Sequence, residues 1–358
     1  MAVGVTLLGP NIDHRRSLET MLGADRPVNW APDSNSFLRG RDMGWWERMQ
    51  HKVERLLGTR RPDYLAHVGQ ALQANNSQVV VAYWGTEPLA DLVALRRLRP
   101  DVKLVLMVLC YPVALDAAGI QRQNWMMRRA TRLLDGILFP NAAMRDHFLA
   151  ESLMPRNLSH LILSPCWPVG FQFAGPQPEG LPDPNVVFIG RTDLSAATVH
   201  KADDLRPMML DLLNAGIELH HGRSKETDDG HPLRRPFSPV AQDQLIERMA
   251  CHDASLIAYN LEACQNEARF ELTVPDRLLS SVAAGVPIAV PQQGYTGLKQ
   301  YLAGHEALIE FESPQALLRQ LKDRGRVREM RQAAWHARER FTAERHGPVL
   351  RAYIDSLT

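Results

Sequence analysis

Short apolar runs alternate with longer amphipathic stretches along most of the chain. In the first half, runs of strand length fall at residues 3–8, 78–83, 103–109, 136–139 and 160–163. Between them, apolar positions recur with helical spacing at about 43–57, 62–74, 88–98, 121–134 and 142–150. Parallel strands give this alternation, because each connection between them needs a crossover, usually a helix. The pattern therefore predicts a parallel α/β domain.

A turn-rich passage interrupts the pattern near the middle of the chain. Proline and glycine cluster between Ser164 and Pro184 and break both periodicities. Strand-length runs resume at 186–191, 218–221, 254–259, 287–290 and 308–311, with helical patterns at 203–215, 240–251, 275–284, 314–323, 326–341 and 347–356. We therefore predict an α/β fold with Rossmann-like domains over residues 1–166 and 185–341, a linker over 167–184, and a C-terminal helix at 342–358 that could pack back on the first domain. Ligands of such sheets bind at the carboxyl ends of the strands.

Composition indicates an ordinary soluble globular protein. The 358 residues are enough for two cores, and the hydrophobic fraction of 45% and charged fraction of 23% are typical. The net charge of +1 argues against a dedicated nucleic-acid binder. The four cysteines are far apart and form no Cys-x-x-Cys pair, so we expect free thiols in a reducing compartment. Without a signal-peptide pattern or an apolar run of membrane-spanning length, we predict a cytoplasmic location.

The segment from Pro275 to Pro287 carries the clearest chemical signal. Proline suits the first turn of a helix and Gly285 suits its end, so the segment predicts a helix followed by a short strand. Arg277 lies in the first turn, where free backbone N–H groups and the helix dipole favour a negative charge. We therefore expect this helix to bind a phosphate group.

The same segment resembles the nucleotide-sugar-binding helix of GT-B glycosyltransferases of the family 4 type, usually written P-x-K-x-x-E-x-x-A-x-G-x-P. The matching positions are Pro275, Arg277, Ala283, Gly285 and Pro287, with arginine where lysine is usual. The resemblance implies the GT-B fold, in which two Rossmann-like doubly wound domains face each other across a cleft. It also implies transfer of a sugar from a UDP- or GDP-type donor to an acceptor hydroxyl, with no metal ion or other cofactor.

The resemblance extends to the start of the second domain. Gly190 and Arg191 end a strand and Lys201 opens the next helix, as do residues that contact the donor diphosphate in these families. Together with Arg277, these cations would stabilise the charge that develops on a departing diphosphate, although each alone could be a solvated surface charge. Further donor-side candidates, of which the loop residues could equally be ordinary polar positions, are Gly222, Asn260, Glu262, Asp276 and Ser280.

Two features of the family are missing from this sequence. Its paired glutamates would fall at Leu272 and Ser280, and its histidine after the strand ending at Leu109 is replaced by Cys110. The glutamate that Ser280 replaces typically holds the ribose of the donor in these families. Two other functions therefore stay open: a non-catalytic glycosyltransferase-like binding protein, and a nucleotide-sugar 2-epimerase.

Acceptor-side candidates follow the first strand. Asn11, Asp13 and His14 lie in the loop that would face the cleft. His14, oriented by Asp13, could remove the proton of an acceptor hydroxyl near neutral pH. Alternatively, Asp13 caps the following helix and His14 is merely exposed. The acceptor itself could be a glycan, a lipid-linked molecule or a small molecule.

Further acceptor-side candidates follow the later strands of the first domain. Trp84 could form a platform for a sugar ring, Glu87 could supply a carboxylate, and Tyr111 follows the next strand. Alternatively, Thr86 is simply the N-cap of a helix that has Pro88 just inside it.

Two basic helical patterns also contain tryptophan. Residues 39–61 include Trp45 and Trp46 together with seven arginines and lysines and three acids, and residues 121–132 add Trp125 among further arginines. Such helices can lie on anionic lipid, which would place the protein at the inner face of the membrane. Alternatively, Trp45 and Trp46 fill the core of the first domain.

Overall fold

The structure is a computed structural model that describes residues 2–39, 44–47, 49–50, 53, 60–84, 86, 88–114, 116–190, 201–222, 230–263 and 267–358. The chain forms two compact units. Unit 1 comprises Met1–Pro165, Leu272–Val274 and Ala343–Thr358, and unit 2 comprises Cys166–Glu271 and Pro275–Thr342.

Unit 1 is built on a six-stranded parallel sheet. Its strands are β1 (Gly4–Leu8), β2 (Val28–Ala31), β3 (Ser77–Trp84), β4 (Lys103–Val108), β5 (Gly136–Phe139) and β6 (Ser159–Ile162), in the order β2-β1-β3-β4-β5-β6. The described helices between them are α1 (Asp13–Leu22), α2 (Ser34–Leu38), α3 (Pro62–Ala74), α4 (Leu89–Leu98), α5 (Ala117–Thr131) and α6 (Ala142–Ala150). The central strands β3 and β4 are almost entirely buried, because crossover helices cover both faces of a parallel sheet.

The strand order of unit 1 reverses direction at β1. The chain moves from β1 to β2 on one side and then returns to place β3 on the other side of β1. Ligands of open α/β sheets bind outside the carboxyl ends of the strands at such a switch point. The residues that follow β1 and β3 therefore lie at the edge of unit 1 where a ligand would bind.

Unit 2 contains a second six-stranded parallel sheet. Its strands are β7 (Asn185–Phe188), β8 (Glu218–Gly222), β9 (Arg234–Phe237), β10 (Ala254–Leu256), β11 (Ile288–Pro291) and β12 (Leu308–Phe311), in the order β12-β11-β10-β7-β8-β9. Its described helices are α7 (Arg206–Ala215), α8 (Gln242–Met249), α9 (Ala268–Leu272, which runs into the unit 1 segment), α10 (Asp276–Ala284), α11 (Thr296–Tyr301), α12 (Pro314–Lys322) and α13 (Arg324–Ala337). The switch point of this sheet lies between β7 and β10.

The last helix, α14 (Ala343–Ser356), belongs to unit 1. Arg351 donates a hydrogen bond of 2.7 Å to the carbonyl of Met21 in α1. Asp355 forms an ion pair of 2.6 Å with Arg26, and the Tyr353 hydroxyl donates to the carbonyl of Ser159 at 3.0 Å. Contacts to the segment between β1 and β2 and to β6 therefore hold this helix against unit 1.

The predicted α/β class is confirmed for both units, and most predicted elements appear within a few residues of their expected bounds. The strands β2 and β9 were not predicted, and each is the edge strand of its sheet. β9 contains Pro236, which breaks a strand pattern and is tolerated at edges. Most of the helical pattern at 43–57 lies outside the described residues. Among the helices that the structure describes, none combines the length and the apolar character needed to cross a bilayer.

Candidate functional site

Arg277 lies at the switch point of unit 2. Pro275 is the extended N-cap residue of α10, and Gly285 ends the helix in the left-handed conformation at φ 64°. From the first turn, Nη2 of Arg277 donates a hydrogen bond of 2.8 Å to the carbonyl of Ala258, just after β10. The guanidinium carbon lies 4.2 Å from the ring centroid of Tyr259 and 5.4 Å from that of Phe188. Two aromatic rings thus hold this cation between β7 and β10.

The donors of Arg277 are only partly used. Within the described part of the chain, Arg277 takes part in no ion pair, and its buried Nε has no hydrogen-bond partner. A buried donor without a partner is costly, and a guanidinium offers five N–H groups in a planar fork that suits phosphate oxygens. The arrangement therefore leaves a fixed cation with capacity for an external anion.

Gly190 leaves the space that this guanidinium occupies. A β-carbon at position 190 would lie 2.6 Å from Nη1 of Arg277 and 2.0 Å from Cζ of Phe188, whereas real β-carbons essentially never approach closer than 3.0 Å. The structure therefore brings two of the predicted donor-side residues, Gly190 and Arg277, into direct proximity. Arg191, which follows, lies outside the described residues.

Lys201 and Asn260 lie on adjoining segments of unit 2. Lys201 is exposed and opens a short 3₁₀ turn, Lys201–Asp203. The backbone N–H of Asn260 donates to the carbonyl of Ala202 in this turn at 2.8 Å, and its side-chain amide donates to the carbonyl of Asp204 at 3.3 Å. The segment after β10 therefore positions the turn that carries Lys201.

A cavity of about 390 Å³ lies beside these segments, at the carboxyl ends of β10, β11 and β12 and the start of α7. Asn260 and Glu262, both predicted donor-side residues, line it together with Tyr259 and Tyr295. The two tyrosine rings are stacked with centroids 6.2 Å apart, and the Tyr295 hydroxyl accepts a hydrogen bond of 2.8 Å from the Tyr259 backbone N–H. Burial raises the pKa of Tyr295 to about 12, so its hydroxyl stays protonated. The volume falls in the range of small-molecule sites.

Ser280, which replaces the ribose-binding glutamate of the family, is buried in α10. Its hydroxyl accepts hydrogen bonds from Nε1 of Trp167 at 3.1 Å and Nε2 of Gln242 at 2.6 Å. It also donates to the carbonyl of Asp276 at 3.2 Å. A serine hydroxyl has one donor and two acceptor positions, so these partners use all of them. Ser280 therefore ties α10 to two other segments of unit 2, and its part in donor binding stays a prediction.

The remaining donor-side candidates lie on either side of the switch point. Asp276 is exposed in the first turn of α10, and Gly222 ends β8. The Gly222 carbonyl accepts a hydrogen bond of 2.7 Å from Nδ1 of His221, a fully buried residue. Nε2 of His221 then accepts from Nη1 of Arg234 at 3.3 Å. Because a carbonyl can only accept, these contacts assign the proton of the neutral imidazole to Nδ1.

In unit 1, His14 and Trp84 meet at the carboxyl ends of β1 and β3. Their ring centroids are 5.6 Å apart, and only 3% of His14 is exposed. The N-cap of α1 is Ile12, and Asp13 is the first helical residue. The alternative in which Asp13 caps the helix beside an exposed His14 is therefore wrong. Asn11 is exposed and accepts a hydrogen bond of 3.5 Å from Arg15.

Trp84 has an unusual backbone conformation. Its φ of 99° lies in the region that favours glycine, and a bulky side chain adopts it at a cost of about 1–3 kcal/mol. Its carbonyl accepts a hydrogen bond of 3.2 Å from the N–H of Leu109, which holds the residue against β4. Strained residues of this kind concentrate at functional sites. No sequence pattern reveals the strain.

The other acceptor-side candidates have different surroundings. Glu87 lies outside the described residues. Tyr111 is fully buried, its hydroxyl donates to the side-chain oxygen of Asn124, and burial raises the pKa of this phenol. Thr86 is not the N-cap of α4, because that position is taken by Pro88.

Within the described ranges, no three His, Cys, Asp or Glu side chains come together as a group that could hold a metal ion. Metal independence of the predicted reaction stays a prediction.

Each unit is a Rossmann-like α/β domain of the kind that GT-B glycosyltransferases contain in two copies, as the motif resemblance predicted. The chain is similar to sucrose-phosphate synthase from Thermosynechococcus elongatus, with a TM-score of 0.67, 12% identity and 99% of each chain covered. It is similar to a glycosyltransferase from Rickettsia africae, with a TM-score of 0.62, 10% identity, and 100% of this chain and 99% of the other covered. It is also similar to Anabaena HepE in complex with UDP, with a TM-score of 0.60, 11% identity, and 99% and 100% covered. No protein-family model and no curated protein matches the sequence. At these identities the likeness shows the fold.

Proposed function

We propose that this protein is a glycosyltransferase that moves a sugar from a UDP- or GDP-type donor to an acceptor hydroxyl, using protein cations in place of a metal ion. The similar structure of Anabaena HepE was solved in complex with UDP, which supports a nucleotide as the ligand. The family 4 resemblance of the segment from Pro275 to Pro287 supports a nucleotide sugar.

The single observation that carries the proposal is the setting of Arg277. Its guanidinium is fixed by Tyr259, Phe188 and the Ala258 carbonyl at the first turn of α10, with a buried Nε that has no described partner. A departing nucleoside diphosphate gains negative charge as its bond to the sugar breaks. A cation that is already in place stabilises that charge without reorganising at the moment of reaction. The helix N-terminus adds backbone N–H groups and a favourable dipole.

Other residues of unit 2 would complete the donor site. Lys201 and Arg191 would add positive charge around the diphosphate. Asn260 and Glu262, which line the cavity beside Tyr259, would bind hydroxyl groups of the donor. Gly222 and Asp276 would form the outer part of this site on either side of Arg277, and Ser280 would hold α10 in position.

Unit 1 would supply the acceptor side. His14 would remove the proton of the acceptor hydroxyl, with Asp13 or Glu87 orienting its ring. Trp84, whose indole packs against His14, would provide an apolar surface for a sugar ring. Asn11, which is exposed, would contribute to the wall of the same site, whereas the fully buried Tyr111 would support it from behind.

Nucleotide binding tests the proposal directly. UDP, GDP, ADP, CMP and dTDP are screened by thermal shift and then by calorimetry on the parent protein, Arg277→Ala and Arg277→Lys. At about one hundred times its dissociation constant, a nucleotide stabilises the fold by roughly 2.7 kcal/mol. We expect one nucleotide to stabilise the parent, Arg277→Ala to lose the effect, and Arg277→Lys to retain part of it.

Arg248→Ala is the matched control. Arg248 also lies over an aromatic ring, 5.4 Å from the centroid of Phe237, but it is exposed at the end of α8. Its removal takes away the same charge and a similar ring contact, so nucleotide binding should be unchanged. Binding of no nucleotide, or equal binding by the parent and Arg277→Ala, would overturn the donor site.

A binding protein without turnover is the second candidate. The observation that favours it is Ser280, since the position of the family's ribose-binding glutamate holds a hydroxyl that unit 2 already uses. Incubation of the protein with the matching nucleotide sugar distinguishes the two functions. Release of nucleoside diphosphate with an acceptor supports transfer, whereas tight binding with no product over long incubation supports the binding protein.

We also place the protein in a reducing compartment, the cytoplasm. Cys110, Cys166 and Cys251, the cysteines within the described residues, are not in disulfide bonds. Free thiols at buried and half-buried positions are usual where glutathione and thioredoxin keep them reduced.

A further inference from the structure

A helical segment after α2 exposes large apolar side chains on one face. The described residues between 45 and 53 are helical, and the exposed fractions are 61% for Trp45, 78% for Trp46, 39% for Met49 and 48% for Val53. At 3.6 residues per turn, these positions fall within about 100° of arc. The two indole rings contact each other edge to face with centroids 4.6 Å apart. The interpretation that they fill the core of unit 1 is therefore wrong.

The sequence around this face, which we call the tryptophan face (Trp45, Trp46, Met49 and Val53), is strongly basic. Residues 39–61 contain seven arginines and lysines and three acids, a net charge of +4, whereas the whole chain has +1 and the remainder therefore −3. Two of the cations are already paired, since Arg60 forms a buried ion pair with Asp91 and Arg61 lies 3.2 Å from Asp63. These pairs anchor the end of the segment to unit 1.

We propose that the tryptophan face docks on an anionic lipid surface. Indole rings prefer the boundary between acyl chains and headgroups, and a sequence segment with an excess of arginine and lysine is attracted to anionic headgroups. A second copy of the chain fits less well. A symmetric dimer would place the same patch of both copies together, so two segments that each keep an excess of positive charge (five cations and three acids once Arg60 and Arg61 are paired) would face each other. Charge complementarity therefore selects the membrane surface as the partner.

This docking goes beyond the proposed transferase activity and does not depend on it. It concerns a surface of unit 1, whereas nucleotide binding is assigned to unit 2. The two proposals can therefore fail separately, and urea unfolding of every variant measures whether it is folded.

Vesicle flotation tests the docking. The full-length protein is mixed with vesicles of phosphatidylcholine and phosphatidylglycerol, or with vesicles of phosphatidylcholine alone. We expect binding to the anionic vesicles, and we expect Trp45→Ser/Trp46→Ser to weaken it by at least about tenfold, or about 1.4 kcal/mol. High salt should weaken it as well, because the screening length falls from about 10 Å at 0.1 M to about 3 Å at 1 M salt.

Trp125→Ser is the matched control. Trp125 is 52% exposed on α5 of the same unit and also lies near a cation, Arg129, at 5.6 Å from its ring centroid. Its substitution removes an exposed indole from a different helix of the unit, so vesicle binding should persist. Equal flotation of the parent and the double variant, or an equal loss in Trp125→Ser, would overturn the assignment.

Sedimentation velocity addresses the other possible occupant. If the parent sediments as a dimer and Trp45→Ser/Trp46→Ser as a monomer, with neither bound to vesicles, the face is an interface between copies and the membrane proposal is wrong. Binding that is equally strong on vesicles without phosphatidylglycerol would also contradict it, because the argument rests on anionic headgroups.

Discussion

Replacing Gly190 with alanine perturbs the proposed donor site through a single added methyl group. The new β-carbon would lie 2.0 Å from Cζ of Phe188 and 2.6 Å from Nη1 of Arg277. Phe188 is only 1% exposed and has little room to move, so the guanidinium must shift. Overpacking of this kind costs about 1–3 kcal/mol of stability. Displacing a cation that hydrogen-bonds to phosphate costs about 1.5–3 kcal/mol of binding, or roughly tenfold to 150-fold in Kd.

Calorimetry with the nucleotide that the parent binds measures the loss of affinity, and urea unfolding measures the loss of stability. Gly170→Ala is the control, because a β-carbon at Gly170 meets nothing within 4 Å in the same unit. We expect Gly170→Ala to bind normally. If Gly190→Ala is folded and binds the nucleotide as tightly as the parent, the diphosphate does not lie against Arg277 and the reasoning is refuted.

Two further predictions concern stability. Ser280→Ala should cost about 1–3 kcal/mol in urea unfolding, because Nε1 of Trp167 and Nε2 of Gln242 lose their acceptor. A stability equal to that of the parent would contradict these contacts. Burial lowers the pKa of His252 from 6.5 to about 3, so between these pH values the unfolded chain binds a proton that the native protein does not, and stability falls as the pH falls through this window. Between pH 7 and pH 5 the loss of folding stability from His252 is on the order of 2 kcal/mol. His252→Asn should therefore show a smaller pH dependence of urea unfolding. Some dependence remains in this variant, because burial also lowers the pKa of the neighbouring His220. An unchanged pH dependence would show that His252 is not the group that titrates.

The sequence predicted those helices and strands that are marked by neighbouring residues, such as an apolar run or a proline and a glycine at the two ends. Pro275, Gly285 and Pro287 marked the bounds of α10, and the structure places Gly285 in the left-handed conformation that the pattern required. β9 escaped prediction because Arg234–Phe237 has no apolar run and includes a proline. An edge strand pairs on one side only, so it needs less apolar sequence than a central strand.

The sequence predicted site residues that belong to one continuous motif, but it did not predict contacts between residues that are distant along the chain. Arg277 follows from its helix, but its contacts with Tyr259 and Phe188 come from two other strands, and no spacing in the sequence indicates that these rings would surround it. The burial of His14 escaped prediction for the same reason. It depends on Trp84, which reaches His14 from another strand in a strained conformation that the sequence does not signal.

The assignment of α14 to unit 1 bears on how the protein is made. The six strands of unit 1 are all synthesised before the first residue of unit 2, yet the helix that packs on α1 follows after Thr342. At 5–20 residues per second, the ribosome takes on the order of ten seconds or more to reach it. Gly347 of α14 packs so closely on α1 that a β-carbon at its position would lie 2.7 Å from the Met21 carbonyl oxygen. Until α14 is synthesised, the surface around Met21 is uncovered. The nascent sheet is therefore an expected client for chaperones, and a fragment cut before Ala343 would keep that surface bare permanently.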